Sequence, residues 1–374
     1  MNRSGRLKVV QISSVHPSFD TRIFHKICKS LVGGGFDVDL IIQHPNDEKI
    51  DGVNIISLPV AKKKSDRLIK VIPALVLKCI KYPPDTVFHF HDPELIPLGM
   101  FLKFVGYKVI YDVHEDVPED IKSKKWIPAF LRSTLSYLVN KMEVAGKNFF
   151  DHTVVVTSKI KERLDSDRTV LIQNFPILSD KEPIDAEFRG RNAVFYLGDI
   201  TRIRGLFEDI KAVEIANNES GIELIMGGKF SPLELRNELE EMPGWKYVNF
   251  VGWIPREEFN DHAERSFAGL VTFHPEPNHI DAQPNKLFEY MYAGLPVIAS
   301  DFPLWRNIVK ANKCGILVDP LDPEDIANAI LSLKKDPDLA MGMGKNGRRA
   351  VIRQYNWANE EEKLLQAYRN LLGA

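Results

Sequence analysis

The chain has 374 residues, 44% hydrophobic and 27% charged, with 49 basic against 51 acidic side chains and a net charge of −2. That length suits two domains of about 150–200 residues each, and the even charge balance argues against a nucleic-acid partner. Cys28, Cys79 and Cys314 are scattered and outside metal-ligand spacing, which argues against a disulfide framework or a zinc site and for a reducing compartment.

Short apolar runs alternate with amphipathic stretches along the whole chain. Strands are expected at 8–12, 37–42, 86–90, 108–112, 153–157 and 169–172, then at 193–197, 222–226, 247–251, 269–273, 296–300 and 316–319. This alternation predicts an α/β protein of two parallel sheets wrapped by helices. The polar, proline-bearing segment 177–192 reads as the linker between them. The apolar run at 9–12 is too short for a signal-peptide core, and no later run reaches the ~18–20 residues of a spanning helix. A cytoplasmic location is therefore expected, with the inner face of a membrane as a place to dock.

In open parallel sheets ligands bind beyond the carboxyl ends of the strands. Here those ends carry Ser13-Ser14-Val15-His16, His91-Asp92-Pro93-Glu94, His114-Glu115-Asp116, Gly198-Asp199, Gly227-Gly228-Lys229 and His274-Pro275-Glu276. Such clustering on one edge is what a shared cleft requires; ordinary polar strand ends are the plainer alternative. The most specific segment is 282–301, AQPNKLFEYMYAGLPVIASD. Pro284-Asn285 opens a helix with Leu287, Phe288 and Met291 at helical spacing, and Gly294 closes it. Free N–H groups at that helix start, with Lys286 beside them, make an anion site, and Glu289 one turn on suits ribose hydroxyls. His89 and His91 lie on one strand face, but two ligands at that spacing with no evident third carry no metal site, and no metal is expected.

These residues resemble the nucleotide-sugar signature of retaining GT-B glycosyltransferases of family 4, the group 1 glycosyltransferases. SSVHPSFDTRIFHKICKSL near the start, then HDPELIPLG, VIYDVHED and the final YNWANEEEKLLQAY follow in the expected order. The resemblance implies two Rossmann-like domains facing each other across a deep cleft. Residues 1–176 would form the acceptor domain and 177–355 the nucleotide-sugar domain, with the terminal helix 356–374 packing back on the first. It implies sugar transfer from a nucleotide-sugar donor to a glycan or lipid-linked acceptor, with retention and without metal or other cofactor, in cell-surface polysaccharide or glycoconjugate synthesis.

Residue by residue, Glu289 matches the second acid of the family's E-x7-E pair, and the first falls on Asp281, shorter by one methylene. Pro284, Asn285, Leu287 and Gly198 complete the implied donor site. In the loop GDITRIRG, Arg204 matches the second of two basic diphosphate contacts. Asp199 stands at the first, so Lys286 is expected to supply the charge, with Arg202 as a weaker substitute. His114 matches a histidine near the reacting centre. Ser14, His16, Arg22, His91, Asp92, Glu115 and Asp116 would line the acceptor side. The departures at Asp199 and Asp281 keep two alternatives open: a GT-B nucleotide-sugar epimerase, and a catalytically silent nucleotide-sugar-binding subunit.

The stretches 61–82 and 121–147 are basic and apolar together. Lys122, Lys124, Lys125 and Arg132 with Trp126 and Phe130 suggest docking on an anionic bilayer. The plainer alternative is an amphipathic helix facing the core with its lysines in water.

Overall fold

A computed structural model describes residues 7–124, 127–178, 188–217, 221–255 and 258–373. Lys125 and Trp126 of the basic stretch, and 179–187 of the expected linker, lie outside them. The chain forms two compact units, Met1–Asn174 with Trp357–Ala374, and Phe175–Asn356.

The first unit holds β1 (Lys8–Ile12), β2 (Asp37–Gln43), β3 (Glu48–Ile50), β4 (Val53–Leu58), β5 (Val87–Phe90), β6 (Lys108–Val113), β7 (His152–Val155) and β8 (Thr169–Leu171). They lie in the order β3-β4-β2-β1-β5-β6-β7-β8, and every pair is parallel except β3 with β4. The second unit holds β9 (Ala193–Leu197), β10 (Glu223–Gly227), β11 (Val248–Gly252), β12 (Ser266–Val271), β13 (Val297–Ser300) and β14 (Gly315–Val318) in the all-parallel order β11-β10-β9-β12-β13-β14. Helices cover both faces of such sheets, which is why the central strands read as unbroken apolar runs.

Sequence reading did not anticipate β3 and β4. They form an edge hairpin through Asp51 (φ 49°) and Gly52 (φ 84°). β3 is too short and polar to leave an apolar run, but the Asp-Gly pair is a strong hairpin signal.

Side chains in a strand alternate between faces. Val10, Phe88, Phe90, Val109 and Tyr111 face a core shared with helices Ile72–Cys79 and Ile96–Phe104. Gln11, His89 and Asp112 take the other face. There lie the helical segments Thr21–Cys28 and Lys29–Gly33 and the terminal helix Trp357–Leu372. The terminal helix is tied down by Trp357 Nε1 donating to Ser30 Oγ (2.9 Å) and by Glu360 accepting from the Gln173 N–H (2.9 Å). Among the described residues no helix is long and apolar enough to cross a membrane.

Candidate functional site

In the first unit β1, β5 and β6 end side by side, and their alternation gathers Gln11, His89, His91, Asp112 and His114. Asp20 caps the adjoining helix, accepting from the N–H groups of Arg22 (2.8 Å) and Ile23 (2.9 Å). Arg22 then donates to both Asp112 oxygens, from Nε at 3.1 Å and Nη2 at 2.9 Å. Burial would raise the Asp112 carboxyl, but the Arg22 guanidinium overrides it and holds the group well below the usual carboxylate range.

Hydrogen bonds dictate the ring tautomers around this pair. Gln11 Nε2 donates to the Tyr368 hydroxyl (3.0 Å), which donates to His89 Nδ1 (2.7 Å). Gln11 Oε1 is left to accept from His91 Nε2–H (2.8 Å), so His91 Nδ1 carries a lone pair and accepts from His114 Nε2–H (2.9 Å). In a neutral His114 ring that donation leaves Nδ1 as an acceptor. Burial brings His91 down to about 4 and His89 well below the usual histidine range, so both are neutral at physiological pH. Folding brings Asp112 within reach of His89 and His91, the third metal-capable group that sequence spacing did not reveal. Arg22 occupies both Asp112 oxygens, and Gln11 and His114 occupy both His91 nitrogens, whereas His89 Nε2 is buried without a hydrogen-bond partner.

Asp92 organises the neighbouring loop. Its Oδ2 accepts from Ser13 Oγ (3.0 Å), the Ser14 N–H (2.6 Å) and Ser14 Oγ (3.1 Å), while Oδ1 sits 3.0 Å from His16 Nδ1. Burial would raise Asp92, but the His16 hydrogen bond and charge outweigh it and bring the carboxyl down to about 2. Burial likewise works to lower His16, and the bond and charge of Asp92 override it, so His16 is raised.

In the second unit β9 is followed by Gly198, where φ is 142°. A methyl group there would lie 2.9 Å from Lys286 Nζ and 3.3 Å from Arg204 Nη1, so the bare backbone lets two cations converge on the strand end. Lys286 is the second residue of helix Asn285–Tyr292. Its ammonium is buried without a hydrogen-bond partner, 3.8 Å from the Tyr196 ring centroid and 5.0 Å from that of Phe273. Burial first, then the charge of Arg204, lowers it well below the usual lysine range. Asn285 Oδ1 is also buried and unpartnered. The unpartnered Lys286 Nζ at a helix N-terminus is chemistry suited to an anion, whereas Asn285 Oδ1 is an acceptor and suits a hydroxyl or N–H donor.

Arg204 also lies 3.5 Å from Asp199 and 5.3 Å over the Phe273 ring. Asp209 accepts from Thr272 Oγ1 (2.7 Å), and burial raises its carboxyl well above the usual range. Glu289 stands half-buried one turn beyond Lys286, and Asp281 half-buried after the short helix Pro277–Ile280. That loop is held by Trp305 Nε1 donating to the Ala282 carbonyl (2.7 Å).

The family model described as glycosyl transferases group 1 matches residues 179–350, and that of glycosyltransferase family 4 matches residues 21–175, so that together they span most of the chain. The chain belongs to the group 1, family 4 glycosyltransferases. The GDP-mannose-dependent alpha-(1-6)-phosphatidylinositol monomannoside mannosyltransferase of Mycobacterium tuberculosis is 36% identical over 153 residues, 40% of each chain. The phosphatidyl-myo-inositol mannosyltransferase of Mycolicibacterium smegmatis is 24% identical over 328 residues, 85% of this chain and 80% of its own. The solved sucrose-phosphate synthase from Thermosynechococcus elongatus shares the GT-B fold, with a TM-score of 0.77 at 22% identity over 98% of this chain and 100% of that one. The chain spans 48% and 40% of the length of the first two curated relatives it matches.

Within this family member the expected residues separate by position. Gly198, Arg204, Lys286 and Asn285 converge in the second unit; Ser14, His16, Arg22, His91, Asp92 and His114 converge in the first. The Leu287 side chain is wholly buried in the core, and its N–H donates to the Pro284 carbonyl (3.1 Å). Arg202 turns outward to Glu238 and the Phe207 ring. Glu115 is exposed, and Asp116 lies 3.4 Å from Arg163. Sequence reasoning missed Gln11, His89 as a network member, Asp112 and Tyr368. Asp112 was legible as the polar interruption of an apolar strand. Tyr368, 279 positions from His89, left no local signal.

Proposed function

We propose that this family member transfers a sugar from a nucleoside-diphosphate donor, bound by the second unit, to a glycan or lipid-linked acceptor received by the first. The supporting observation is Lys286, a buried ammonium without a partner at a helix start and beside Gly198. A diphosphate there would supply the missing counter-charge. Cleaving the glycosyl–phosphate bond leaves negative charge on the diphosphate, and Lys286, Arg204 and the helix N–H groups would stabilise it as it develops. Glu289 would hold the ribose hydroxyls. His114 would meet a hydroxyl of the donor sugar or acceptor. In this reading the reaction retains anomeric configuration, needs no metal, and serves polysaccharide or glycoconjugate synthesis. The lipid-modifying names of two relatives support such an acceptor.

The ion pair of Asp199 with Arg204 favours a second reading, a silent nucleotide-sugar-binding subunit, because it offsets one of the two cations. A panel of UDP-, GDP- and dTDP-sugars, read by thermal stabilisation and nucleoside-diphosphate release, separates the two. Stabilisation by one nucleotide class is expected, lost in Glu289→Ala, with release slowed about 100-fold in Lys286→Ala, the ~3 kcal/mol typical of one transition-state donor. Stabilisation without release in any acceptor mixture would establish the silent subunit. No stabilisation at all would overturn both.

A further inference from the structure

The helix Ala129–Phe149 is patterned inside out. Its buried positions are Ser136, Glu143 and Gly146. Glu143 accepts from the Tyr111 hydroxyl (2.9 Å) and from Arg163 (2.6 Å), and Asn140 also accepts from Arg163 (3.0 Å), so the inward side is a polar network. The outward side carries Phe130, Leu131, Leu135, Leu138 and Met142, all exposed, Phe130 to 78%. The neighbouring helix Ile96–Phe104 adds Phe101 and Phe104, the latter 84% exposed. The segment Arg67–Cys79 adds Ile69 and Leu77. All three pack against the same face of the first sheet, opposite the histidine network, through Val71, Leu75, Leu98, Leu102 and Val144.

Exposed apolar side chains gathered on one face of a folded unit mark an interaction surface. Its charge selects the occupant. Residues 61–82 carry seven basic side chains against one acidic, and 121–149 six against one, in a chain whose net charge is −2. Lys122 and Lys124 are paired with Glu119 (2.7 Å) and Asp120 (2.5 Å). Lys62, Lys63, Lys81 and Lys141 are exposed, and Lys141 stands 5.4 Å over the Tyr137 ring. A second copy would bring basic against basic. An anionic lipid surface offers both an apolar boundary for the phenylalanines and phosphates for the lysines.

We propose that this helix layer docks on an anionic bilayer, with Phe104, Phe130, Leu131 and Leu138 at the acyl–headgroup boundary and Lys81 and Lys141 against lipid phosphates. The docking stands independently of which sugar is transferred. The test is flotation of the full chain with phosphatidylcholine vesicles, with and without phosphatidylglycerol, at low and high salt, beside sedimentation of the protein alone. Binding is expected only to the phosphatidylglycerol vesicles, weakened by salt and abolished in Phe130→Glu/Leu138→Glu. Lys81→Gln/Lys141→Gln, which alters no apolar position and serves if the first variant does not fold, should weaken binding about fivefold for each charge lost. Absence of flotation at low salt overturns the proposal. So does equal binding to neutral vesicles, or a dimer of the wild-type chain that Phe130→Glu/Leu138→Glu converts to monomer.

Discussion

The Asp92 carboxylate takes hydrogen bonds from two serines and a charged contact from His16, and the two groups shift one another in opposite directions. Asp92 is depressed from 3.8 to about 2, so its contribution to stability is complete above the unfolded value and fades as pH falls toward 2. His16 is raised above 6.5, so its contribution is complete below that value and fades as pH climbs through the raised one. The pair therefore stabilises most between about pH 4 and 6.5. NMR titration of the His16 ring should give a pKa above 6.5 in the wild type. Asp92→Asn should bring it below that value, because burial is then the largest remaining influence. A His16 pKa unchanged by Asp92→Asn would show that the ion pair does not form. Both residues were legible as polar residues following strands, and the direction of each shift required knowing that they meet.

At the scale of elements, the loop after β9 shows two glycines with different duties. At Gly205, φ is 80° and a methyl group would lie 2.0 Å from the Thr272 carbonyl oxygen, a backbone atom that has little room to yield. Gly205→Ala should destabilise the second unit by about 2 kcal/mol or more, visible as a lower denaturation midpoint. At Gly198 the obstruction is the flexible end of Lys286, 2.9 Å away. Gly198→Ala should cost less stability than Gly205→Ala but displace the ammonium, so nucleotide-dependent thermal stabilisation should fall more than the melting point. Equal loss of both properties in both variants would remove the distinction. The parallel strands were readable because burial on both faces leaves apolar runs; the β3-β4 hairpin was not, because an edge strand needs no such run. For the helix Ala129–Phe149 the sequence left two alternatives open, an outward and a core-facing apolar stripe. Its apolar stripe has helical spacing, but periodicity says nothing about which side meets the core.

Across the whole molecule, the first unit is discontinuous in sequence: it is closed by Trp357–Leu372 after the chain has built the second. Trp357, Leu364 and Tyr368 of that helix are buried, and the Lys108 ammonium donates to the Leu371 carbonyl near its end. Trp357→Ala should cost about 3–5 kcal/mol, the usual loss for a buried large aromatic. In calorimetry that loss should fall on the transition of the first unit and leave that of Phe175–Asn356 in place. A shift of the second transition alone would contradict the assignment of the helix to the first unit.

The sequence by itself determined the two parallel-sheet units, the family, and the strand ends at which polar residues would gather, because strand periodicity and helix-start chemistry are local and survive in one dimension. Only the tertiary structure decided which of those residues meet. The Arg22–Asp112 pair, the histidine tautomers governed by Gln11 and Tyr368, the orphaned Lys286 ammonium and the outward apolar face of Ala129–Phe149 all depend on contacts or burial that sequence spacing does not encode. The physical reason is that hydrogen-bond satisfaction and desolvation are set by what surrounds a group in space, and those neighbours come from elements far apart along the chain.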